Sequence, residues 1–151
     1  METNDARARA VEAVRALARA SSALERSSPN LSLAHYRVLA AIAQGSERAS
    51  NVARRLALGK PAVSAAVESL CKRGLLARSD VASDQRAAAL HVTPVGEALL
   101  AEVETEMIGR INDLCDRTPD GEQLIESLVW LGAAMDDRAA ERLAAQKGAQ
   151  K

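Results

Sequence analysis

Basic side chains concentrate in the middle of this 151-residue chain. Residues 48–86 carry eight Lys or Arg residues against three carboxylates, whereas residues 97–141 carry three Arg residues against twelve carboxylates. The formal net charge of the whole chain is nevertheless zero. A local excess of positive charge attracts polyanions. The charge pattern therefore predicts two surfaces with different partners, and the basic surface is the candidate for binding nucleic acid.

The groups that could perform catalysis are not arranged for it. The sequence has no Gly-rich phosphate loop and no Ser or Cys nucleophile with a positioned His. His35, His91 and Cys71 lack the spacing of metal ligands, so we expect no metal site, no cofactor and no enzymatic activity. We expect Cys71 and Cys115 to be small buried residues of a reduced protein, and a redox switch at either thiol is the alternative.

The composition favours a helical protein of one domain. Aromatic residues are limited to Tyr36 and Trp130, and Ala, Leu and Val supply most of the apolar content. No stretch has the apolar length of a signal peptide core or a membrane span, so we expect a cytoplasmic protein without a membrane partner. A length of 151 residues is typical of a single domain.

Apolar spacing predicts the helices that must position the basic surface. An amphipathic helix over about 5–25 ends before Pro29, and a second begins after Ser32, the expected N-cap, and ends at Gly45. Ser50 is the expected N-cap of a third, short helix. These breaks place the basic residues that follow on short helices rather than on a long one.

A fourth helix begins near Pro61, which is tolerated in a first turn, and ends at Gly74, the expected C′ residue. The third and fourth helices, joined across residues 58–60, form a candidate helix-turn-helix. The fourth helix directs Val63, Val67 and Leu70 inward, and small or polar residues outward at its N-terminal end. A slim, polar leading end suits the major groove of DNA, although this face has no Arg, Asn or Gln to read G or A by paired hydrogen bonds.

A change of period after the fourth helix predicts a β-hairpin. Short apolar runs at 75–78 and 88–93 flank a charged tip, and Arg86, with Arg78 nearby on the paired strand, is expected to enter a minor groove. Thr93 is the expected N-cap of a long fifth helix, and a sixth runs from about 122 to 145. The last two helices carry apolar residues on more than one side, which predicts that a second chain covers them.

Five segments carry a resemblance to a known family. They are Leu31–Leu39 (LSLAHYRVL), Leu56–Ser64 (LALGKPAVS), Arg73–Leu76 (RGLL), Asp80–Arg86 with its D-x-R, and Leu90–Leu100 with its Thr-Pro-Val-Gly. Together they resemble the MarR family of bacterial regulators, and the helix order is similar too. The resemblance implies a mainly α fold with a small β-hairpin wing, a winged helix-turn-helix of six helices that dimerises through its N- and C-terminal helices.

The resemblance also implies a layout and a function. Residues 1–151 would form one domain, with a DNA-binding lobe at about 31–100 and dimerisation helices at 1–28 and 101–145. The recognition helix would be 60–73 and the wing 79–87, braced by Asp84. We therefore expect a homodimeric, ligand- or stress-responsive repressor that binds double-stranded DNA at a palindromic operator, with contacts from Ser50, Arg54, Lys60, Pro61, Ala62, Ser64, Ala65, Arg73, Arg78, Asp84 and Arg86.

Two further interpretations stay open at this stage. Arg15, Arg19, Tyr36 and Arg37 are candidates for binding a small aromatic or anionic effector, although core or interface packing is the commoner role for such a tyrosine and a solvated helix face is commoner for such arginines. The alternative function is a helical protein-interaction module that reuses a winged-helix domain and binds a protein through its acidic C-terminal face. Sequence-selective DNA binding would favour the repressor over this alternative.

Overall fold

The computed structural model describes residues 2–45, 48–79 and 89–148. Within these residues the chain forms six α-helices and one two-stranded antiparallel sheet, which confirms the predicted fold class. In chain order the elements are α1 (Glu2–Ser27), α2 (Leu33–Ala43), α3 (Ala49–Arg55), α4 (Lys60–Lys72), β1 (Leu76–Ser79), β2 (Ala89–Val92), α5 (Pro94–Cys115) and α6 (Gly121–Gly148).

Side-chain caps fix where two of the helices begin. The Ser32 hydroxyl accepts a hydrogen bond from the His35 N–H at 3.3 Å, and the Thr93 hydroxyl accepts one from the Gly96 N–H at 3.1 Å. Both caps confirm the prediction, because each satisfies an N–H group that has no partner inside the helix. The Glu25 carboxylate adds a second cap to α2 by accepting from the Leu33 N–H at 2.8 Å.

The predicted cap of α3 is wrong. Arg48 is the N-cap in an extended conformation, and no side chain caps the helix. The Arg48 carbonyl accepts hydrogen bonds from the Asn51 and Val52 N–H groups, so the first turn is already formed when the chain reaches Ser50. Ser50 therefore lies inside the first turn, with its side chain exposed.

The core lies among α2, α3, α4, the sheet and the first half of α5. Val63, Val67 and Leu70 of α4 are buried as predicted, and they pack with Leu39 and Val52 in one apolar cluster. Burying side chains of this size stabilises a fold by about 1.5–3 kcal/mol each. The inner face of α4 is therefore anchored, which leaves its other face free for another role.

The β-hairpin joins this core through a close approach of α5. The strands pair Leu76 with Val92 and Arg78 with Leu90. The Thr93 N–H donates to the Leu75 carbonyl at 3.1 Å, and a Cβ atom placed on Gly96 would lie 2.2 Å from that same oxygen. Position 96 therefore requires glycine for the start of α5 to pack against the link between α4 and β1.

The two terminal helices contribute little to the core. Among the side chains that the structure describes in α1 and α6, only Ala23 and Ala139 are buried. Large apolar side chains instead face outward on both helices: Val11, Val14, Leu17, Leu124, Ile125, Leu128, Val129, Trp130, Leu131 and Met135. No helix among the described residues is both long and apolar enough to span a membrane.

Candidate nucleic-acid interface

A tight turn sets α4 against α3. After α3, the Ala57 N–H donates to the Arg54 carbonyl at 3.2 Å and the Leu58 N–H donates to the Ala53 carbonyl at 2.9 Å. Ala57 itself has a φ of +52°, which is the left-handed conformation that ends many helices. This turn, followed by extended Gly59 as the N-cap of α4, completes a helix-turn-helix.

The outward face of α4 is small and exposed at its leading end. Pro61, Ala62, Ser64 and Ala65 are all exposed, as the sequence predicted. Short side chains let a helix approach base edges closely, and the Ser64 hydroxyl can donate or accept one hydrogen bond there. This face can therefore enter a major groove without rearrangement of the core.

Three of the predicted DNA contacts lie together beside this face. Ser50 and Arg54 of α3 and Lys60 of α4 line one surface cavity of about 340 Å³ with Ala53 and Leu58. Arg54 also donates a hydrogen bond to the Asn51 side-chain oxygen. No side chain caps the N-terminus of α4, so its first N–H groups and these two cations form a suitable environment for a phosphate.

Further along α4, a surface ion pair lowers the negative charge that DNA would meet. Lys72 lies 2.9 Å from the Glu68 carboxylate, and both side chains are exposed. The hydrogen bond and the charge of Lys72 hold the pKa of Glu68 below its usual value, with a smaller contribution from Arg78. Glu68 is therefore ionised and paired on the outward face of the helix.

The wing is described in part. Arg78 is exposed on β1, and the Ser79 hydroxyl lies 3.2 Å from Nδ1 of His91 across the sheet. Asp84 and Arg86, the predicted wing contacts, lie outside the described residues. Their roles stay predictions.

Arg73 lies apart from the cavity of Ser50, Arg54 and Lys60. It follows α4 as the C-cap residue, about 20 Å along the helix from Lys60. Its guanidinium donates to the Asn30 carbonyl at 2.8 Å, and the Asn30 amide donates to Glu102 of α5 at 3.3 Å. In this structure Arg73 joins the end of α4 to the loop between α1 and α2.

The candidate effector residues do not gather in one place. Arg19 lines an open groove of about 710 Å³ along α1 with Arg26 and Arg110, whereas Arg15, Tyr36 and Arg37 do not line it. Tyr36 is half-buried on α2, and its hydroxyl donates to Glu104 of α5 at 3.4 Å. Burial raises the pKa of Tyr36 above its usual value, and the Glu104 carboxylate raises this pKa further.

The two cysteines are free thiols with different exposure. Cys115 is buried at the end of α5, and Cys71 is partly exposed near the end of α4. The expectation of burial is therefore confirmed for Cys115 and holds in part for Cys71. A redox role for either thiol stays a prediction.

Sequence reasoning missed one contact of the helix-turn-helix. The Arg55 guanidinium donates to both carboxylate oxygens of Asp136 on α6 at 3.3 Å, and to the Gln44 side-chain oxygen at 2.7 Å. Arg55 and Asp136 are 81 positions apart, so no local pattern could have revealed the pair.

The arrangement of α2, α3, α4 and the hairpin defines a winged helix-turn-helix. Residues 30–87 match the sequence model of the MarR family. This match covers part of the chain and agrees with the resemblance that the sequence motifs carry, and the structural likenesses show the same winged-helix fold. No curated protein sequence matches the chain.

Three solved structures illustrate the likeness. BldR of Sulfolobus solfataricus superposes with a TM-score of 0.71 at 22% identity, over 89% of this chain and 99% of BldR. The repressor CouR of Rhodococcus jostii RHA1, bound to a 23-mer DNA duplex, superposes with a TM-score of 0.70 at 24% identity. This match covers 82% of this chain and 89% of CouR. BpsR of Bordetella bronchiseptica superposes with a TM-score of 0.67 at 24% identity, over 85% of this chain and 92% of BpsR. At these identities the likeness shows the fold.

Proposed function

We propose that this protein is a DNA-binding transcriptional regulator that inserts α4 into a major groove. The observation that carries the proposal is the exposed, small-residue end of α4 next to the cavity of Ser50, Arg54 and Lys60. The MarR-family match and the DNA-bound structure of CouR support the same class. In this proposal phosphates supply most of the affinity, and the α4 face, the wing and DNA shape supply the specificity.

The proposal is tested by the salt dependence of duplex binding. Each phosphate contact releases condensed counterions, so each contact makes the slope of log K against log salt more negative by about 0.9. Fluorescence anisotropy uses a labelled duplex that the wild type has selected from a random library. Lys60→Ala and Arg54→Ala should each weaken binding and make this slope less negative by about 1 for each bound protomer.

Arg117→Ala is the matched control for these variants. Arg117 pairs with Asp113 near the end of α5, away from α4, and it carries the same charge. Its slope should equal that of the wild type. Equal slopes for Lys60→Ala, Arg54→Ala and Arg117→Ala would contradict the interface.

The wing completes the proposed interface. We propose that Arg86 enters a minor groove beside α4, that Asp84 braces the loop, and that Arg78 contacts a phosphate. In the same assay, Arg86→Ala should weaken binding and make the salt slope less negative. Unchanged affinity would remove the wing from the interface while leaving α4 in it.

We propose that the regulator is a homodimer that binds a palindromic operator as a repressor. The support is the outward apolar face of α1 and α6, which is larger than the scattered exposed apolar residues of a monomer surface. A two-fold axis there would place two α4 helices about 34 Å apart, one turn of DNA. Sedimentation of the wild type should give twice the chain mass, and Leu131→Glu should give a monomer.

Finally, we propose that an aromatic or anionic effector controls DNA binding. The DNA binding of BpsR is regulated by 6-hydroxynicotinic acid, and CouR has been solved with p-coumaroyl-CoA. In this chain the groove of Arg19, Arg26 and Arg110 suits an anion. Adding each of these two compounds to the protein–duplex complex should release DNA for at least one, and Arg19→Ala should weaken that response.

A further inference from the structure

Two neighbouring arginines of α3 face different parts of the molecule. Arg54 lines the cavity that we assign to a phosphate, and Arg55 is turned toward α6. Successive residues of a helix lie about 100° apart, so the direction of one side chain fixes that of the other. Whatever holds Arg55 therefore also orients Arg54.

The contacts of Arg55 join three elements. Two nitrogen atoms of its guanidinium donate to the two carboxylate oxygens of Asp136 on α6, both at 3.3 Å, and one of them also donates to Gln44 after α2 at 2.7 Å. A paired contact of this kind restricts orientation as well as distance, which a lysine cannot do. The side chains of Arg55 and Asp136 are 30% and 59% exposed, so solvent screens the ion pair and its contribution is modest.

Helix α6 connects this contact to the outward apolar face. Ala139, three residues after Asp136, is buried, whereas Leu131 and Met135, which precede Asp136 on the same helix, are exposed. A helix is a rigid rod over such short distances, so a shift of α6 at its apolar face is carried to Asp136. The same helix thus bears the proposed dimer face and the acceptor of Arg55.

We propose that Arg55 is a positioning residue for DNA binding, held by Asp136 of α6. The ion pair keeps α3, and with it Ser50 and Arg54, in the orientation that binds DNA. This inference rests on the proposed function and adds a residue that acts without contacting DNA.

The sign of one substitution separates positioning from simple electrostatics. Removing a carboxylate makes the protein more positive, which by itself strengthens binding to a polyanion. If Asp136 positions α3, then Asp136→Ala weakens binding instead, by about threefold for an ion pair of this exposure. Asp137→Ala is the matched control, because Asp137 forms no ion pair with any residue in the described part of α1 to α6.

The experiment measures the affinity of the full-length protein for the selected duplex at several salt concentrations. We expect Asp136→Ala to weaken binding about threefold with an unchanged salt slope, and Asp137→Ala to bind as tightly as the wild type or more tightly. Asp136→Asn should lie between Asp136→Ala and the wild type. Thermal unfolding of each variant confirms that it is folded.

Rescue distinguishes a positioning role from a general loss of stability. The Arg55→Asp/Asp136→Arg double variant exchanges the partners, and the Gln44 amide can turn its N–H group toward the introduced carboxylate. The double variant should recover most of the affinity that Asp136→Ala loses. Arg55→Lys should bind DNA more weakly than the wild type, because lysine keeps the charge but cannot form the paired contact.

Three results would contradict the inference. Equal affinities of Asp136→Ala and Asp137→Ala, with a wild type that binds DNA, would overturn this inference alone and leave the proposed function in place. A wild type that binds no duplex would overturn both proposals. Failure of the exchanged pair to recover affinity would also count against the positioning role.

Discussion

Replacing Ala57 by glycine should stabilise this protein. Ala57 ends α3 with a φ of +52°, and an L-residue pays about 1–2 kcal/mol for the left-handed conformation. Glycine adopts it freely but has more conformational entropy in the unfolded chain, which costs about 0.5–1 kcal/mol. The net gain for Ala57→Gly is therefore about 0.5–1 kcal/mol.

A reciprocal substitution provides the control. Gly74 ends α4 with a φ of +71°, and a Cβ atom added there would meet nothing within 4 Å. Gly74→Ala therefore tests backbone strain without a steric clash, and it should lower the free energy of unfolding by about the amount that Ala57→Gly raises it.

Both changes are measured by thermal and urea unfolding at one fixed protein concentration, because dimerisation makes apparent stability depend on concentration. For a chain of this size, Ala57→Gly should raise Tm by about 2–3 °C. It should leave DNA affinity unchanged, since the turn keeps its geometry. If Ala57→Gly lowers Tm while Gly74→Ala also lowers it, the left-handed turn between α3 and α4 is refuted.

Three other substitutions test the packing around the site. Gly96→Ala should lower the free energy of unfolding by more than about 2 kcal/mol in a urea titration, because its Cβ would collide with the Leu75 carbonyl; a loss below about 0.5 kcal/mol would disprove the close approach. Glu25→Ala should cost about 1 kcal/mol in the same titration, because it leaves the Leu33 N–H without its carboxylate acceptor, and a neutral result would refute this cap. Tyr36 has a raised pKa in the folded state, so the unfolded state loses the proton first and stability should fall as pH rises above about 10. Unfolding curves at pH 8 and pH 11 should show a larger loss for the wild type than for Tyr36→Phe, and equal losses would contradict the raised pKa.

The features that the sequence predicted correctly are those that depend on residues close together in the chain. Apolar spacing placed Val63, Val67 and Leu70 inside, and the helix signals at Ser32 and Thr93 located two N-caps. The charge pattern indicated the basic surface because Arg54 and Lys60 lie close in sequence as well as in space.

Contacts between distant segments could not be predicted in this way. Arg73 donates to Asn30 across 43 positions of sequence, and Arg55 donates to Asp136 across 81. The residues next to each arginine in the sequence do not distinguish it from an arginine that faces solvent. The start of α3 was misplaced for a different reason. A serine near a helix start is a common cap, but here the backbone of Arg48 forms the first turn without a side-chain cap.

The exposed face of α4 does not pack against the core. Ala62, Ser64 and Ala65 face outward, and surface substitutions of this kind change stability by about 0.5 kcal/mol or less. Because the anchoring residues sit on the opposite side, these three positions can vary one at a time while the fold persists. Under the proposed function, a lineage carrying this protein can acquire new target promoters through single codon changes, and a designer can retarget it by the same route.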